Sequence, residues 1–304
     1  MLPLPGAIAR STSFTVAEGR AAGLTDDQMR RLIWCTAGRG LRVQAGHDPA
    51  LAELAGLLTA VTGAVVSHES AAQLWGFPLA PRPGGLHLLV PLGSARVRRP
   101  GVVVHQALVR EDEVVVTPVG PLTSRVRTWL DLAQTRSVET MVVVGDHLVR
   151  VPRLAWEGRE HPYATLDDLE RTIRAHPKKR GIVTARAAVP LIRVGADSPP
   201  ETRLRLRLED AGLPRFEANR VIRDRDGRRL HQPDLSNEKY RVAVEYEGAH
   251  HGGEEQMLHD VRRSRRAAEA GWIEVRITAA DMLGTGYAAV RAVRQALVAR
   301  GWRG

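Results

Sequence analysis

The residue types with the most chemistry lie between His231 and Asp260. His231-Gln232-Pro233-Asp234-Leu235 leads through Ser236-Asn237-Glu238-Lys239 into Val242-Ala243-Val244-Glu245-Tyr246-Glu247-Gly248-Ala249-His250-His251, and Asp260 follows. A period of two sets Val242, Val244 and Tyr246 on one face of a strand and Ala243, Glu245 and Glu247 on the other. Asp234 sits on the strand before the turn, so strand pairing brings three carboxylates within a few ångströms. Like charges that close repel, and a hard divalent cation between them removes the conflict. Mg²⁺ or Mn²⁺ held by Asp234, Glu245 and Glu247 is what phosphodiester hydrolysis needs. The plain alternative is a solvated acidic edge strand, because exposed glutamate on a half-buried strand is ordinary.

The elements that must position these groups are legible nearby. Ser198-Pro199-Pro200-Glu201 combines an N-cap serine, an early proline and a capping glutamate, and predicts a helix to Ala211 closed by Gly212. Phe216–Ile222 reads as a first strand, Asp226-Gly227 as a hairpin turn, Leu230–Leu235 as the return and Tyr240–Gly248 as the central strand. A basic helix over Glu254–Ala270 carries Arg262, Arg263, Arg265 and Arg266. Trp272–Ile277 is another strand and Tyr287–Arg300 the last helix.

Pro233-Asp234 followed by Glu245-Tyr246-Glu247 resembles the PD-(D/E)xK nuclease core. Val244-Glu245-Tyr246-Glu247-Gly248 with His251, then Asp260 and Arg263, then Gly271-Trp272, resembles a family of bacterial domains akin to very-short-patch mismatch-repair endonucleases. The likeness runs from Ser198 to the C-terminus and implies a restriction-endonuclease-like α/β domain. Glu247 stands where the motif has lysine. The related repair nucleases use histidine instead, which makes His251 the replacement. On this resemblance Asp234 and Glu245 bind Mg²⁺ or Mn²⁺, with Glu247 through water. His251 is the general base or acid, and Asp260 orients it. Arg263 and Arg262 neutralise phosphate. In such folds a first-helix acid often completes the metal site, which nominates Glu201 beside its capping role.

The rest of the chain divides into three further segments. Residues 1–46 carry two capping boxes, Thr15-Val16-Ala17-Glu18 and Thr25-Asp26-Asp27-Gln28, then Gly38-Arg39-Gly40 and a strand Leu41–Gln44. This order resembles the winged helix-turn-helix of AbiEi-type abortive-infection antitoxins. It implies that a second helix with Met29, Leu32 and Ile33 inward enters the major groove, with Arg30, Arg31, Arg39 and Arg42 facing DNA. Asp26 and Asp27 at the start of that helix argue instead for a small interaction module. Residues 47–150 read as a mixed α/β middle domain, with helices over 50–61, 68–75, from Ser124 and over 139–149, and strands over 86–90 and 102–105. Ser67–Ala72 and Arg127–Ala133 resemble the domain found beside such antitoxin modules, and carry no catalytic residues with them. His68, Glu69 and Ser70 lack a nucleophile elbow. His87 and His105 alternate with apolar residues and read as satisfied strand histidines. Residues 151–197 form a helical connector, with Thr165 and Asp168 opening one helix and Pro190 bending another; Lys178-Lys179-Arg180 is a basic loop within it.

Composition bounds the function. The 304 residues carry a formal charge of +10, from 44 Lys+Arg against 34 Asp+Glu. Such a field attracts polyanions, although the arginine bias also follows from a GC-rich genome. One cysteine, Cys35, excludes an internal disulfide and a cysteine-based zinc site. No apolar run of about 18 residues and no signal peptide is evident, so a cytoplasmic, non-membrane protein is expected. The overall expectation is a multi-domain α/β chain: a Mg²⁺- or Mn²⁺-dependent endonuclease whose partner is nucleic acid, DNA above all. A homodimer or a protein partner would engage the N-terminal modules. The alternative is an antitoxin-like transcriptional regulator with a non-cleaving nuclease-like domain.

Overall fold

The computed structural model describes residues 12–30, 34–35, 40–47, 49–94, 98–153, 157–247 and 254–304, with backbone alone over 34–35 and 254–261. Contacts divide the chain into two compact units, Met1–Gln134 and Thr135–Gly304. Both mix helices with sheets, so the chain is a multi-domain α/β protein. No helix among the described residues is long and apolar enough to cross a membrane.

The first unit begins with a three-stranded sheet. Strands β1 (Ser13–Thr15) and β2 (Trp34–Cys35) flank β3 (Leu41–Gln44) on either edge, both antiparallel. The Thr15–Glu18 capping box forms as the sequence predicts and starts α1 (Val16–Ala21). Gly19 is required there: a Cβ at this position would lie 2.6 Å from Met29 Sδ and 2.8 Å from the Phe14 ring. The second box forms too, Gln28 N donating to Thr25 Oγ1 at 3.3 Å and Thr25 N to Gln28 Oε1 at 2.7 Å. Among the described residues it opens the 3-10 turn Gln28–Arg30. The chain is already in β2 at Trp34, where the sequence reading continues a helix. Residues 31–33 and 36–39 lie outside the described residues, and no recognition helix is found among the described ones.

A five-stranded sheet follows, in the order β6-β5-β4-β8-β7. Its strands are β4 (Val65–Val66), β5 (Leu86–Pro91), β6 (Val102–Ala107), β7 (Val114–Thr117) and β8 (Gly120–Thr123). The β7–β8 hairpin is absent from the sequence reading. Helices α2 (Leu51–Thr62), α3 (His68–Leu74) and α4 (Arg125–Leu132) complete the unit. Leu58, Val66, Leu86, Leu88 and Leu122 form its core. Behind α4 lies a buried ionic network. Arg127 is wholly buried, pairs with Glu113 and with Asp131 (3.0 Å), and donates to Leu108 O at 3.0 Å.

The second unit opens with α5 (Val138–Val149), capped by Ser137, whose Oγ accepts from Thr140 N. Its Val142-Val143-Val144 run suits a strand by propensity, and the cap with the buried face of Met141, Val144 and Leu148 decides for helix. The sequence reading closes the middle domain with this helix. It packs instead against α7 (Ile182–Ala188) and α8 (Pro199–Asp210). Between them, α6 (Leu166–Ala175) starts at the Thr165–Asp168 box, and Pro190 falls in the 3-10 turn Val189–Leu191 that ends α7. Asp146 on α5 is fully buried. It pairs with Arg205 of α8 at 2.9 Å and accepts from Thr202 Oγ1 at 2.8 Å.

The four-stranded sheet of this unit runs β12-β11-β10-β9. β9 (Glu217–Ala218), β10 (Leu235–Asn237) and β11 (Val242–Glu247) pair antiparallel, and β12 (Ile273–Thr278) lies parallel to β11. Helix α9 (Glu254–Glu269) connects β11 to β12, and α10 (Tyr287–Ala299) ends the unit. Val242 and Val244 pack toward α8 and α10 with Leu204, Leu208, Val293 and Leu297. Ala243 packs on the opposite face with Ala267, Trp272 and Ile222. The two faces read from the alternation are therefore the two buried faces of the strand.

Arg127→Ala is expected to lower the unfolding free energy by about 3–5 kcal/mol, because it strands two buried carboxylates without their cation. Urea unfolding of the wild type and the variant measures this; a loss below about 1 kcal/mol would make the network no more than a surface-type pair.

Candidate functional site

The candidate site lies on the Ala243–Glu245–Glu247 face of the second sheet. Register builds it. In the parallel β11–β12 pair Ala243 faces Glu274 and Glu245 faces Arg276, so Glu245 and Glu274 lie diagonally on the same face. His231 approaches from the segment before β10. Its Nε2 is 3.5 Å from Glu245 Oε1 and 3.4 Å from Glu274 Oε2. The ligand-type atoms of His231, Glu245 and Glu274 all lie within 4.8 Å of one another. Ser264 and Arg263 of α9 cover the cluster. Arg263 is 3.4 Å from Glu245 Oε1, and Ser264 Oγ donates to Glu274 Oε1 at 2.7 Å.

Asp234 precedes β10 and meets β11 from the side. The Tyr246 amide donates to Asp234 Oδ2 at 2.6 Å. Burial pushes the Asp234 carboxyl up, and the charges of Glu201 and Glu245 add to it against the Tyr246 amide and Arg263, so its pKa stands at about 7. Glu201, in the first turn of α8, is buried. Its Oε2 accepts from Asp197 N and Asn219 Nδ2, both at 2.9 Å, and its Oε1 from Ser198 Oγ at 2.7 Å. Burial still raises its pKa against those hydrogen bonds. The capping role and proximity to Asp234 thus coincide in one residue. Asn219 ties the two together, since its own amide donates to Asp234 O at 2.9 Å.

Burial draws the His231 imidazole down, but the facing carboxylates of Glu245 and Glu274 outweigh it and hold the pKa above the ordinary value. For Glu274, burial works upward, and His231, Ser264 and Arg263 together bring the carboxyl below its usual range. Both ring nitrogens of His231, Glu245 Oε1 and Glu274 Oε2 are buried without a hydrogen-bond partner. Buried polar atoms are rarely left so. A divalent cation among two carboxylates and an imidazole fits that donor set, with Asp234 alongside.

Of the acids nominated from sequence, Glu245 belongs to the cluster, while Asp234 feels the charges of both Glu245 and Glu201 without joining the group whose ligand atoms lie within 4.8 Å of one another. Glu247 is outside it too: its Oε1 pairs with Arg276 at 2.8 Å, and that side chain also donates to Ser264 Oγ at 3.0 Å. Arg263 reaches the cluster, while Arg262 is exposed. His251 lies outside the described residues, as do His250 and the side chain of Asp260. Among the N-terminal arginines, Arg31 and Arg39 lie outside them as well. Arg30 is exposed, 3.6 Å from Asp27, and donates to Asp26 O. Arg42 is turned inward, donating to Met29 O at 2.8 Å and Leu41 O at 2.9 Å. Its guanidinium ties the sheet to the 3-10 turn. Sequence reasoning quoted His231 without giving it a role and missed Glu274 altogether. The one available clue was that Glu274 interrupts the apolar strand Trp272–Ile277 on the sheet neighbour of Glu245.

No family model matches the chain. An uncharacterised protein of Mycobacterium tuberculosis strain CDC 1551 / Oshkosh is 29% identical over 246 residues, covering 79% of this chain and 84% of that protein. An uncharacterised protein of strain H37Rv matches with the same identity and coverage.

The raised Asp234 pKa has a definite sign in stability. The folded state holds this proton more tightly, so the contribution of Asp234 to stability falls as pH rises from the ordinary 3.8 to about 7 and stays low above that. In metal-free buffer, Asp234→Asn is therefore expected to raise the thermal midpoint at pH 8, by about 2–4 °C for each kcal/mol relieved. The gain shrinks toward zero near pH 4. Scanning calorimetry at both pH values checks it; an equal effect at both would show that Asp234 carries no such burden.

Proposed function

We propose that the second unit is a metal-dependent nuclease that hydrolyses phosphodiester bonds in DNA, and that the face bearing Glu245 and Glu274 is its active site. The observation that carries this reading is the meeting of His231, Glu245 and Glu274, whose ligand-type atoms lie within 4.8 Å of one another, with the charge of Asp234 coupled to Glu245. The net charge of +10 and the resemblance of the Asp234–Glu245 segment to PD-(D/E)xK nucleases support nucleic acid as substrate.

The residues divide the work as follows. Glu245, with Asp234 and Glu274 around it, holds the cation. A bound Mg²⁺ or Mn²⁺ supplies Lewis acidity to a phosphate oxygen and lowers the pKa of water. His231 offers the same ion a nitrogen ligand from between the two carboxylates. Arg263 draws a phosphate toward the site and offsets its charge. The imidazole beside the carboxylates suits Mn²⁺ at least as well as Mg²⁺, which demands oxygen ligands in a strict octahedron.

The test is relaxation of supercoiled plasmid by purified protein with Mn²⁺ or Mg²⁺. Metal-dependent nicking is expected, lost at least 100-fold in Glu245→Ala and in Asp234→Ala, and reduced less in Glu247→Gln. Salt-sensitive plasmid binding without nicking, unchanged in both alanine variants, would overturn the nuclease in favour of a DNA-binding regulator with a non-cleaving domain.

A further inference from the structure

The first unit gathers three histidines that are distant in sequence. His87 on β5 and His105 on β6 lie on one face of a parallel pair, for His87 faces Val103 and His105 faces Leu89. His87 Nδ1 is 3.0 Å from His105 Nε2. His68, the first residue of α3, stacks on His105 with ring centroids 3.6 Å apart. One nitrogen from each ring lies within 4.8 Å of the others. In a tetrahedral zinc site with Zn–N bonds near 2.0–2.1 Å, ligating nitrogens sit about 3.3 Å apart. The His68 and His105 planes are stacked at 13° to one another, so binding one ion requires one of these rings to turn out of the stack and aim its in-plane lone pair at the ion.

Two further observations point the same way. His68 has φ +49°, the left-handed region that a side chain other than glycine, asparagine or aspartate seldom adopts. Such backbone costs about 1–3 kcal/mol and persists where the surroundings impose it. Here it delivers the His68 ring to the cluster. Ser67, at the N-cap position of α3, makes no side-chain cap; its Oγ lies 3.0 Å from His68 Nδ1 instead. Behind it, Asp131 Oδ2 is 4.0 Å from the same nitrogen, and Arg127 holds the other Asp131 oxygen at 3.0 Å. The Ser67 hydroxyl at Nδ1 leaves the Nε2 side of the His68 ring for a ligand, and Asp131 adds a negative charge behind it. His68 is buried, whereas His87 and His105 are part-exposed, so solvent can complete the coordination.

We propose that His68, His87 and His105 bind one late divalent transition-metal ion of the zinc class, with solvent as a fourth ligand. This site lies in the first unit and does not rest on the nuclease reading. Imidazole trios select zinc, nickel or copper over magnesium and calcium, so the ion differs in kind from the one proposed for the second unit.

The test uses full-length, untagged protein stripped with EDTA and titrated with Co²⁺ as a spectroscopic stand-in for Zn²⁺. A visible d–d band saturating at one equivalent, and abolished by adding Zn²⁺, is expected. The band survives in Glu245→Gln/Glu274→Gln and weakens at least 100-fold in affinity in His87→Gln/His105→Gln. Circular dichroism checks that the double variant is folded; if it is not, His105→Gln alone is read instead and must show the same loss. No saturable band in the wild type, or a band that persists when the histidines are replaced, would overturn the proposal.

Discussion

The register of β11 against β12 is the constraint on which the second unit depends. Side chains alternate with a period of two, so a slip of one residue would carry Val242 and Val244 out of the core formed with α8 and α10. The same slip would send Glu245 into that core without a partner. Apolar burial on one face therefore fixes where the charged groups of the other face stand. Glu245 and Glu274 meet because Val242, Val244 and Ile277 must be buried. The acidic cluster is unfavourable by itself, and the strand pairing that holds it is supported by packing it does not share.

Each unit also contains a fully buried arginine on a helix. Arg127 joins Glu113 and Asp131 in the first, and Arg205 joins Asp146 in the second. Burial pushes the Asp146 carboxyl up, and Arg205, Arg193 N and Thr202 work against it. Buried pairs of this kind add little net stability over apolar residues of the same shape, but removing one partner is costly. In the second unit the pair joins α8, which carries Glu201 in its first turn, to α5.

Much of this was legible before any coordinates. The caps at Thr15, Thr165 and Ser198 start helices where serine or threonine is followed by a carboxylate three residues on. The split of Val242–Glu247 into two faces follows from alternation alone. What escaped was set by neighbours distant in sequence. Glu247 looks equivalent to Glu245 in the chain, but Arg276 across the sheet claims it. Arg42 looks like a surface cation until the carbonyls of Met29 and Leu41 are seen around it. The 3-10 turn at Gln28 has a proper cap, yet pairing of Trp34–Cys35 with β3 overrides further helix. The three clustered histidines each sit in an unremarkable local pattern, so only the fold brings them together.

The strand order of the second sheet, β12-β11-β10-β9, has a consequence for how the protein forms. Every strand pairs with its immediate predecessor in the chain. The early pairings close short loops, whereas β12 must wait for α9 to cross over. Glu274 rides on that last strand, so the cluster is complete only when the sheet's longest connection, from β11 to β12, has closed.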